Sequence, residues 1–262
     1  MALIDIKLFS TSLLTNTDVR VVLPTPDEPF YSDDTPWYRK DKRYQVLYLL
    51  HGAHGDCTVW TRNTGIERYA QKYKLMVVSA SVTNSCYVDM VHGGKFFTYM
   101  TQELPAFIES TFPVSTRRED TFIAGMSMGG YGAFRLGLAQ PERYSCIVSL
   151  SGAIDLVLQT RKTSVQMEDV FGDQPMDHTD NDNLWKLEQL IKQGVSIPKI
   201  YQCCGTGDFL YESNQNVRRK LEQLGVDFTY DEGPGIHNWD YWDPQIRKIL
   251  EWLPLKGTLV DA

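Results

Sequence analysis

The sequence predicts a single α/β domain over residues 1–262, with a mostly parallel central sheet and helices on both of its faces. Apolar runs of strand length alternate with helix-like segments, which is typical of buried parallel strands. The glycine-flanked serine in Gly125-Met126-Ser127-Met128-Gly129 stands between a strand-like and a helix-like segment. The candidate functional side chains follow predicted strands, at the edge where such sheets bind ligands.

The predicted elements can be placed in chain order. Short runs at residues 3–10 and 19–24 predict an antiparallel pair at one edge of the sheet. Further strands are predicted at residues 44–50, 75–80, 121–124, 146–150, 198–204 and 226–230. Helices are predicted at residues 65–73, 96–112, 131–139, 183–193, 213–224 and 239–253. Pro105 indicates a kink or a new start within its helix, and Gly225 indicates a helix stop.

Composition restricts the class of protein. The chain of 262 residues is 42% apolar and 23% charged, as expected for one soluble catalytic domain. A formal net charge of −7 argues against nucleic acid and anionic membrane surfaces as partners. We see no apolar run long enough to span a membrane, and Asp5 and Lys7 argue against a secretory signal. The odd count of five cysteines does not suggest a disulfide framework, so we expect a cytoplasmic protein.

Ser127 is the candidate nucleophile. A strand, Gly-x-Ser-x-Gly and a helix together form the nucleophile elbow, a turn so tight that the serine is strained. The positions two before and two after the serine must be small because the backbone packs against itself there, and both are glycine. The helix start behind the serine offers free N–H groups to an anion.

A serine needs a base, and the elbow predicts the chain order serine, acid, histidine. Two histidines follow Ser127. His178 lies in an acidic stretch typical of an exposed loop. His237 lies between a predicted strand and a predicted helix, where a catalytic base belongs, so we select His237.

The acid that orients the base is expected just past a strand. Asp208 follows the strand at residues 198–204 and a turn with two glycines, so we select it. Asp231 is close to His237 in sequence, which disfavours support from a separate loop. Asp155 follows the preceding strand and is the acid only in a less common arrangement.

The loop after the strand at residues 44–50 predicts the second part of an oxyanion hole. We expect the backbone N–H groups of Ala53 and Met128 to bind the oxyanion. His51 and His54 have a spacing that metal sites use, but no further ligand set appears, and we expect no metal. His54 on this loop is a candidate substrate contact.

Two other segments are predicted to shape the entrance. Tyr87, in the loop after the strand at residues 75–80, is a candidate wall of the substrate pocket, with simple packing as the alternative. Residues 154–182 predict a small lid rather than a full cap. Trp239 and Trp242 share one helix face, which favours the core over the pocket.

Four stretches of the chain share a pattern with a known family. They are Leu49-Leu50-His51-Gly52, Phe122 to Ala133, Cys204-Gly205-Thr206-Gly207-Asp208-Phe209-Leu210-Tyr211-Glu212, and His237-Asn238-Trp239-Asp240-Tyr241-Trp242. On these stretches the chain resembles the esterase D / S-formylglutathione hydrolase family, most of all its bacterial tributyrin-esterase-like branch. The resemblance covers nearly the whole chain, and the chain departs from the family at residues 30–42 and 156–183.

The resemblance implies an α/β-hydrolase fold and a carboxylesterase for small acyl esters. Ser127, Asp208 and His237 fall on its triad positions, and Ala53 and Met128 on its oxyanion positions. The alternatives are a thioesterase of the S-formylglutathione hydrolase type, a feruloyl or acetylxylan esterase, and a binding protein without the chemistry. We expect a small-molecule ester as the partner and no cofactor. A homo-oligomer is compatible with the exposed sheet edges and aromatic loops.

Overall fold

The computed structural model describes residues 1–26, 35–156, 166–173 and 175–262. The strands in these residues are β1 (Ala2–Ser10), β2 (Thr15–Leu23), β3 (Lys42–Arg43), β4 (Gln45–Leu50), β5 (Leu75–Ala80), β6 (Thr121–Met126), β7 (Cys146–Leu150), β8 (Lys199–Gly205), β9 (Phe228–Gly233) and β10 (Val260–Asp261). The α-helices are α1 (Val59–Asn63), α2 (Ile66–Tyr73), α3 (Phe96–Thr98), α4 (Leu104–Thr111), α5 (Met128–Ala139), α6 (Met167–Phe171), α7 (Asn183–Lys192), α8 (Tyr211–Gln223) and α9 (Trp239–Trp252).

Eight strands form the central sheet in the order β1-β2-β5-β4-β6-β7-β8-β9. The pairs β1–β2 and β2–β5 are antiparallel, and every pair from β5 to β9 is parallel. Strands β4, β5, β6 and β7 are buried at every residue, whereas β1 alternates between half-buried and exposed residues. Both faces of the parallel part are therefore covered, as the near-continuous apolar runs predict.

Helices pack on the sheet in two layers. One hydrophobic cluster contains apolar residues of α4, α5, α7 and α8, together with Val46 and Tyr48 of β4. The second contains residues of α2 and α9, together with Leu47 and Leu49. Because successive side chains of a strand point to opposite faces, the alternation within β4 places the two clusters on opposite sides of the sheet.

The predicted strands of the sheet and the antiparallel edge pair are confirmed. The helix predicted over residues 96–112 is divided into α3, a π-helical turn (Tyr99–Glu103) and α4, with Pro105 in the first turn of α4. Gly225 follows α8 with a φ of 66°, consistent with its predicted role as a stop. Helix α1 and the β3–β10 pair were not expected.

The predicted lid, residues 154–182, is described only in part. It contains the one-turn helix α6, and residues 157–165 and 174 lie outside the described residues. Its role stays a prediction. Of the helices in the described parts of the chain, none combines the length and the apolar character needed to cross a bilayer. All five cysteines are buried free thiols.

Candidate active site

Ser127 lies at the turn between β6 and α5, with φ 55° and ψ −119°. A positive φ is strained for a residue with a side chain and persists only where the surroundings enforce it. A Cβ atom on Gly125 would collide with the backbone of Gly129, and one on Gly129 would collide with the carbonyl oxygens of Leu50 and His51. The requirement for glycine on both sides of the serine is thus a packing requirement of the turn.

The structure brings the three predicted triad side chains together. His237 Nε2 lies 2.9 Å from Ser127 Oγ, and His237 Nδ1 lies 2.9 Å from Asp208 Oδ2. The side chain of Asp208 is fully buried and that of His237 is 16% exposed. With Nδ1–H donating to the carboxylate, Nε2 is left to accept the proton of the serine hydroxyl.

The two loops that carry Asp208 and His237 are hydrogen-bonded to each other. The Thr206 N–H donates to the Gly233 carbonyl and the Gly207 N–H to the Gly235 carbonyl, both at 2.9 Å. The backbones approach so closely that a Cβ on Gly205 would collide with the backbone of Gly235. This contact fixes the distance between the carboxylate and the imidazole, because each lies within three residues of it.

The Asp208 carboxylate has further donors. Burial raises its pKa, but the hydrogen bonds from His237, the Leu210 N–H and the Ser151 hydroxyl together hold the pKa below its usual range. Asp208 is therefore ionised at neutral pH and able to stabilise an imidazolium. Ser151 also accepts a hydrogen bond from Trp242 Nε1 at 3.1 Å, and its φ is 45°. Sequence reasoning missed Ser151, which carries no motif and directly follows β7.

Aromatic rings flank the imidazole of His237. The ring of Trp242 meets it edge-on, with centroids 4.9 Å apart, and the ring of Phe209 lies against it with centroids 4.4 Å apart. Trp242 is buried, as its helical position predicts, and Trp239 is half-buried. Sequence reasoning missed Phe209, although it directly follows the selected acid.

The rival residues are engaged elsewhere. Asp231 accepts hydrogen bonds from Tyr201 and from Lys248, on the β9 side of the sheet. His178 is exposed, lies near Trp185 and faces Asp177 at 3.6 Å. The structure thus selects Asp208 and His237 as the pair that reaches Ser127.

The predicted oxyanion donors lie on two segments that touch. Met128 is the first residue of α5, so its N–H has no acceptor within the helix. The loop of Ala53 packs on the nucleophile, since a Cβ on Gly52 would be 3.2 Å from the Cβ of Ser127. This contact places both segments beside the serine, as an oxyanion hole requires.

Hydrogen bonds of His51 hold the peptide group between Gly52 and Ala53. His51 Nε2 accepts the Val82 N–H at 3.1 Å, so Nδ1 carries the proton and donates to the Gly52 carbonyl at 2.7 Å. The Gly55 N–H donates to the same carbonyl at 3.2 Å. In a trans peptide the N–H points opposite to the carbonyl, so these two bonds also direct the Ala53 N–H.

Tyr87 corrects a prediction. Its ring is fully buried against Gly132 of α5, and its hydroxyl donates to the His51 carbonyl at 2.8 Å. A ring without solvent contact does not wall a substrate pocket in this structure, so the packing alternative is correct. The Tyr87 hydroxyl thus holds the loop that carries Ala53, and the φ of Tyr87, 59°, is positive.

His54 lies on the exposed side of the same loop. Its N–H donates to Asn84 Oδ1 at 2.7 Å, and its Nδ1 lies 3.2 Å from Asn84 Nδ2. His54 is exposed, and its contact with substrate stays a prediction. Within the described ranges, no three His, Cys, Asp or Glu side chains are grouped as a metal ion would require.

A serine hydroxyl bonded to a histidine that is bonded to a buried aspartate, at the carboxyl edge of a parallel sheet, is the arrangement of the serine hydrolases with the α/β-hydrolase fold. The described contacts therefore place the protein in this class. The chain belongs to the putative esterase family, whose model matches residues 10–253.

Individual relatives agree with this assignment. The chain is 33% identical to an acetyl esterase of Caldicellulosiruptor saccharolyticus, over 97% of this chain and 98% of the relative. The fluorophosphonate-binding serine hydrolase F of Staphylococcus aureus superposes with a TM-score of 0.87 at 32% identity, covering 96% of this chain and 98% of the other. An S-formylglutathione hydrolase of S. aureus gives a TM-score of 0.84 at 32% identity, with the same coverage. The protein is a hydrolase of carboxylic esters.

Proposed function

We propose that the protein hydrolyses esters of short acyl groups through an acyl-enzyme on Ser127, with His237 as base and Asp208 as the acid that orients it. The observation that carries the proposal is the unbroken hydrogen-bond chain, with Ser127 Oγ, His237 and Asp208 joined at 2.9 Å in each step. The similarity to an acetyl esterase supports the short acyl group.

The proposed reaction has two half-reactions. His237 takes the hydroxyl proton as Ser127 Oγ attacks the ester carbonyl, and the resulting oxyanion accepts hydrogen bonds from the N–H groups of Ala53 and Met128. His237 then gives its proton to the alcohol oxygen, the alcohol leaves, and an acyl-enzyme remains. Water repeats the sequence and releases the acid. Asp208 holds the imidazole in the required tautomer and stabilises its charged form throughout.

Fluorophosphonate labelling tests the assignment of Ser127. We expect one covalent adduct on Ser127 in the wild type, none in Ser127→Ala, and labelling slowed at least about a hundredfold in His237→Ala, because the serine then has no base. Intact-protein and peptide mass spectrometry measure the adduct and its position. An adduct at another residue, or an equal labelling rate in His237→Ala, would refute the proposal.

Asp208→Asn tests the acid. The amide cannot hold the imidazole in the productive tautomer, so we expect kcat to fall by orders of magnitude, about 10⁴-fold in the best-studied triad. Asp231→Asn is the matched control, because Asp231 is bonded to Lys248 and not to the imidazole. A loss below about tenfold in Asp208→Asn would show that another group orients His237.

A thioesterase of the S-formylglutathione type is the second candidate, favoured by 32% identity with such an enzyme over 96% of this chain. The same steps cleave thioesters. A panel of nitrophenyl esters graded by acyl length, run beside S-formylglutathione, methyl ferulate and acetylated xylan, separates the candidates by kcat/KM. A preference for S-formylglutathione over nitrophenyl acetate would replace the ester proposal.

A further inference from the structure

Two large apolar side chains are exposed at the mouth of the candidate site. Phe209, next to Asp208 in the chain, is 76% exposed, and Ile236, next to His237, is 58% exposed. Single exposed apolar residues are ordinary on a protein surface. Phe209 and Ile236 differ from such isolated residues because each is next to a triad residue in the chain. They also lie on the two loops that are hydrogen-bonded to each other.

Hydrogen bonds between the two loops hold Phe209 and Ile236 on the same side of the candidate site. The Gly207 N–H donates to the carbonyl of Gly235, one residue before Ile236, and Phe209 lies two residues after Gly207. A Cβ on Gly207 would be 3.2 Å from Ile236 Cγ2, so Ile236 lies directly over this loop. Backbone hydrogen bonds thus fix the positions of these two loops, and no ligand is needed to form this arrangement.

The Phe209 ring contacts the imidazole of His237 and is itself mostly exposed. Its centroid is 4.4 Å from that of His237, at an interplanar angle of 48°. Trp242, which is buried, contacts the same imidazole edge-on. Trp242 is buried, so its role is structural. The Phe209 ring is mostly exposed, so most of its apolar surface, which lies beside the imidazole, contacts no other part of the protein that the structure describes.

The chemistry of acyl transfer decides which part of a substrate meets this surface. The oxyanion must lie on the N–H groups of Ala53 and Met128, and the leaving oxygen must lie within hydrogen-bond reach of His237 Nε2 to receive its proton. The alcohol part of the ester therefore leaves past His237. The acyl chain occupies the remaining direction, away from the imidazole.

We propose that Phe209 and Ile236 form the subsite for the alcohol part of the ester, and that this subsite favours apolar alcohols, aromatic ones most of all. An aromatic alcohol places a ring against Phe209 and apolar area against Ile236, whereas methanol or a charged alcohol gains neither contact. The proposal rests on the proposed function and adds the class of leaving group to it.

Partitioning of the acyl-enzyme isolates this subsite from the acyl site. An acetyl-enzyme formed from nitrophenyl acetate reacts with water or with an added alcohol, whose oxygen bonds to the acyl carbon. The alcohol proton passes to His237 and then to Ser127 Oγ as the bond from the acyl carbon to Oγ breaks. By microscopic reversibility the attacking alcohol occupies the place of the leaving alcohol. The ratio of benzyl acetate to methyl acetate, at equal alcohol concentrations, measures the preference.

In the wild type we expect benzyl alcohol to be acylated in preference to methanol. Phe209→Ala should lower the benzyl-to-methyl ratio about tenfold, which is about 1.4 kcal/mol. Phe209→Leu should recover part of it, and Ile236→Ser should lower it about threefold. Phe9→Ala, which removes an exposed aromatic ring from β1, is the control and should leave the ratio unchanged. Circular dichroism of each variant verifies the fold.

An unchanged ratio in both Phe209→Ala and Ile236→Ser would overturn the proposal. So would variants that alter the discrimination between acetyl and longer acyl groups while the ratio stays constant, because the surface would then belong to the acyl chain. An equal loss for both alcohols would leave Phe209 only the role of positioning His237 and would also overturn it. Failure of the proposed function is distinguishable, because the wild type would then release no nitrophenol.

Discussion

At the scale of single residues, the peptide group between Gly52 and Ala53 supplies one donor of the proposed oxyanion hole. Its carbonyl accepts the Nδ1–H of His51 and the N–H of Gly55, so its own N–H is directed the other way before any substrate arrives. Burial lowers the pKa of the His51 imidazole, so the ring is neutral and keeps the tautomer that both bonds need. The donor of the proposed hole is thus oriented in advance, which is the condition for electrostatic stabilisation of a transition state.

His51→Leu should therefore lower kcat by about tenfold or more with little change in KM. Removal of an oxyanion donor lowers kcat about 10²–10³-fold, and a donor that is only loosened should lower kcat by a part of that factor. His51→Asn keeps an N–H near the Nδ1 position and should recover part of the loss. A trifluoromethyl ketone, whose adduct carries an oxyanion, should bind His51→Leu more weakly in the same proportion. Unchanged kcat with raised KM would assign His51 to ground-state binding.

The sequence could predict residues that belong to a local pattern. Ser127 is recognisable from its glycines, and His237 and Asp208 from their positions after strands. Ser151 and the role of His51 were not predictable, because their partners Trp242 and Val82 are remote in the chain and meet them only in the folded core. Tyr87 was misplaced for the same reason, since only the fold shows Gly132 making room for its ring.

At the scale of elements, one carboxylate fastens the edge hairpin of β1 and β2 to the helical layer. Glu103, at the end of the π-helical turn, accepts the N–H groups of Thr11 and Ser12 and the hydroxyl of Ser10. Partial burial raises its pKa, but these hydrogen bonds outweigh burial and hold the pKa at about 2. The edge strand thus depends on an ionised side chain of another element.

Glu103→Gln should lower the free energy of unfolding by on the order of 1 kcal/mol at neutral pH, because charge-assisted bonds to the hairpin become neutral ones. A depressed pKa stabilises the fold above the unfolded value of about 4.3. The difference between wild type and variant should therefore be constant above that pH and shrink as pH falls toward 2. Urea unfolding at a series of pH values measures it.

Glu251→Gln, on the exposed side of α9, is the matched control for the loss of one carboxylate. A Glu103→Gln difference that grows as the solution is acidified would contradict the assignment, since its sign would be that of a carboxylate destabilised by folding.

Near-continuous apolar runs predicted the central strands because both faces of each are buried. Local breakers such as Pro105 and Gly225 marked helix ends. Helix α1 was missed because its five residues, Val59–Asn63, include one buried side chain, Trp60, which is too few to create a period. The π-helical turn was missed because it continues the apolar pattern of the helix around it.

At the scale of the whole molecule, the two hydrophobic clusters share one sheet. Alternate residues of β4 contribute to opposite clusters, so neither helical layer can separate without exposing the strands that the other layer also needs. A single domain over residues 1–262 stays a prediction, and cooperative unfolding tests it.

We expect a single cooperative unfolding transition in urea, with the midpoints from tryptophan fluorescence, far-ultraviolet circular dichroism and fluorophosphonate reactivity coinciding. Loss of Ser127 reactivity should accompany unfolding because the elbow joins a central strand to α5. Two resolved transitions in the first two signals would show that parts of the chain fold independently.

Because all five thiols are buried, their reaction with a thiol reagent can report how often the folded structure opens. Each cysteine residue is at most 4% exposed, so the rate at which a maleimide reacts with the folded protein reports mainly how often the structure opens. Cys57 lies four residues after Ala53, and Cys86 precedes Tyr87, whose hydroxyl donates to the His51 carbonyl. Cys146 lies on β7, and Cys203 and Cys204 lie on β8. If Cys57 and Cys86 are alkylated before the cysteines of the sheet, the loops near Ala53 open locally while the sheet stays intact. If all are alkylated at one rate, the sheet unfolds together with these loops.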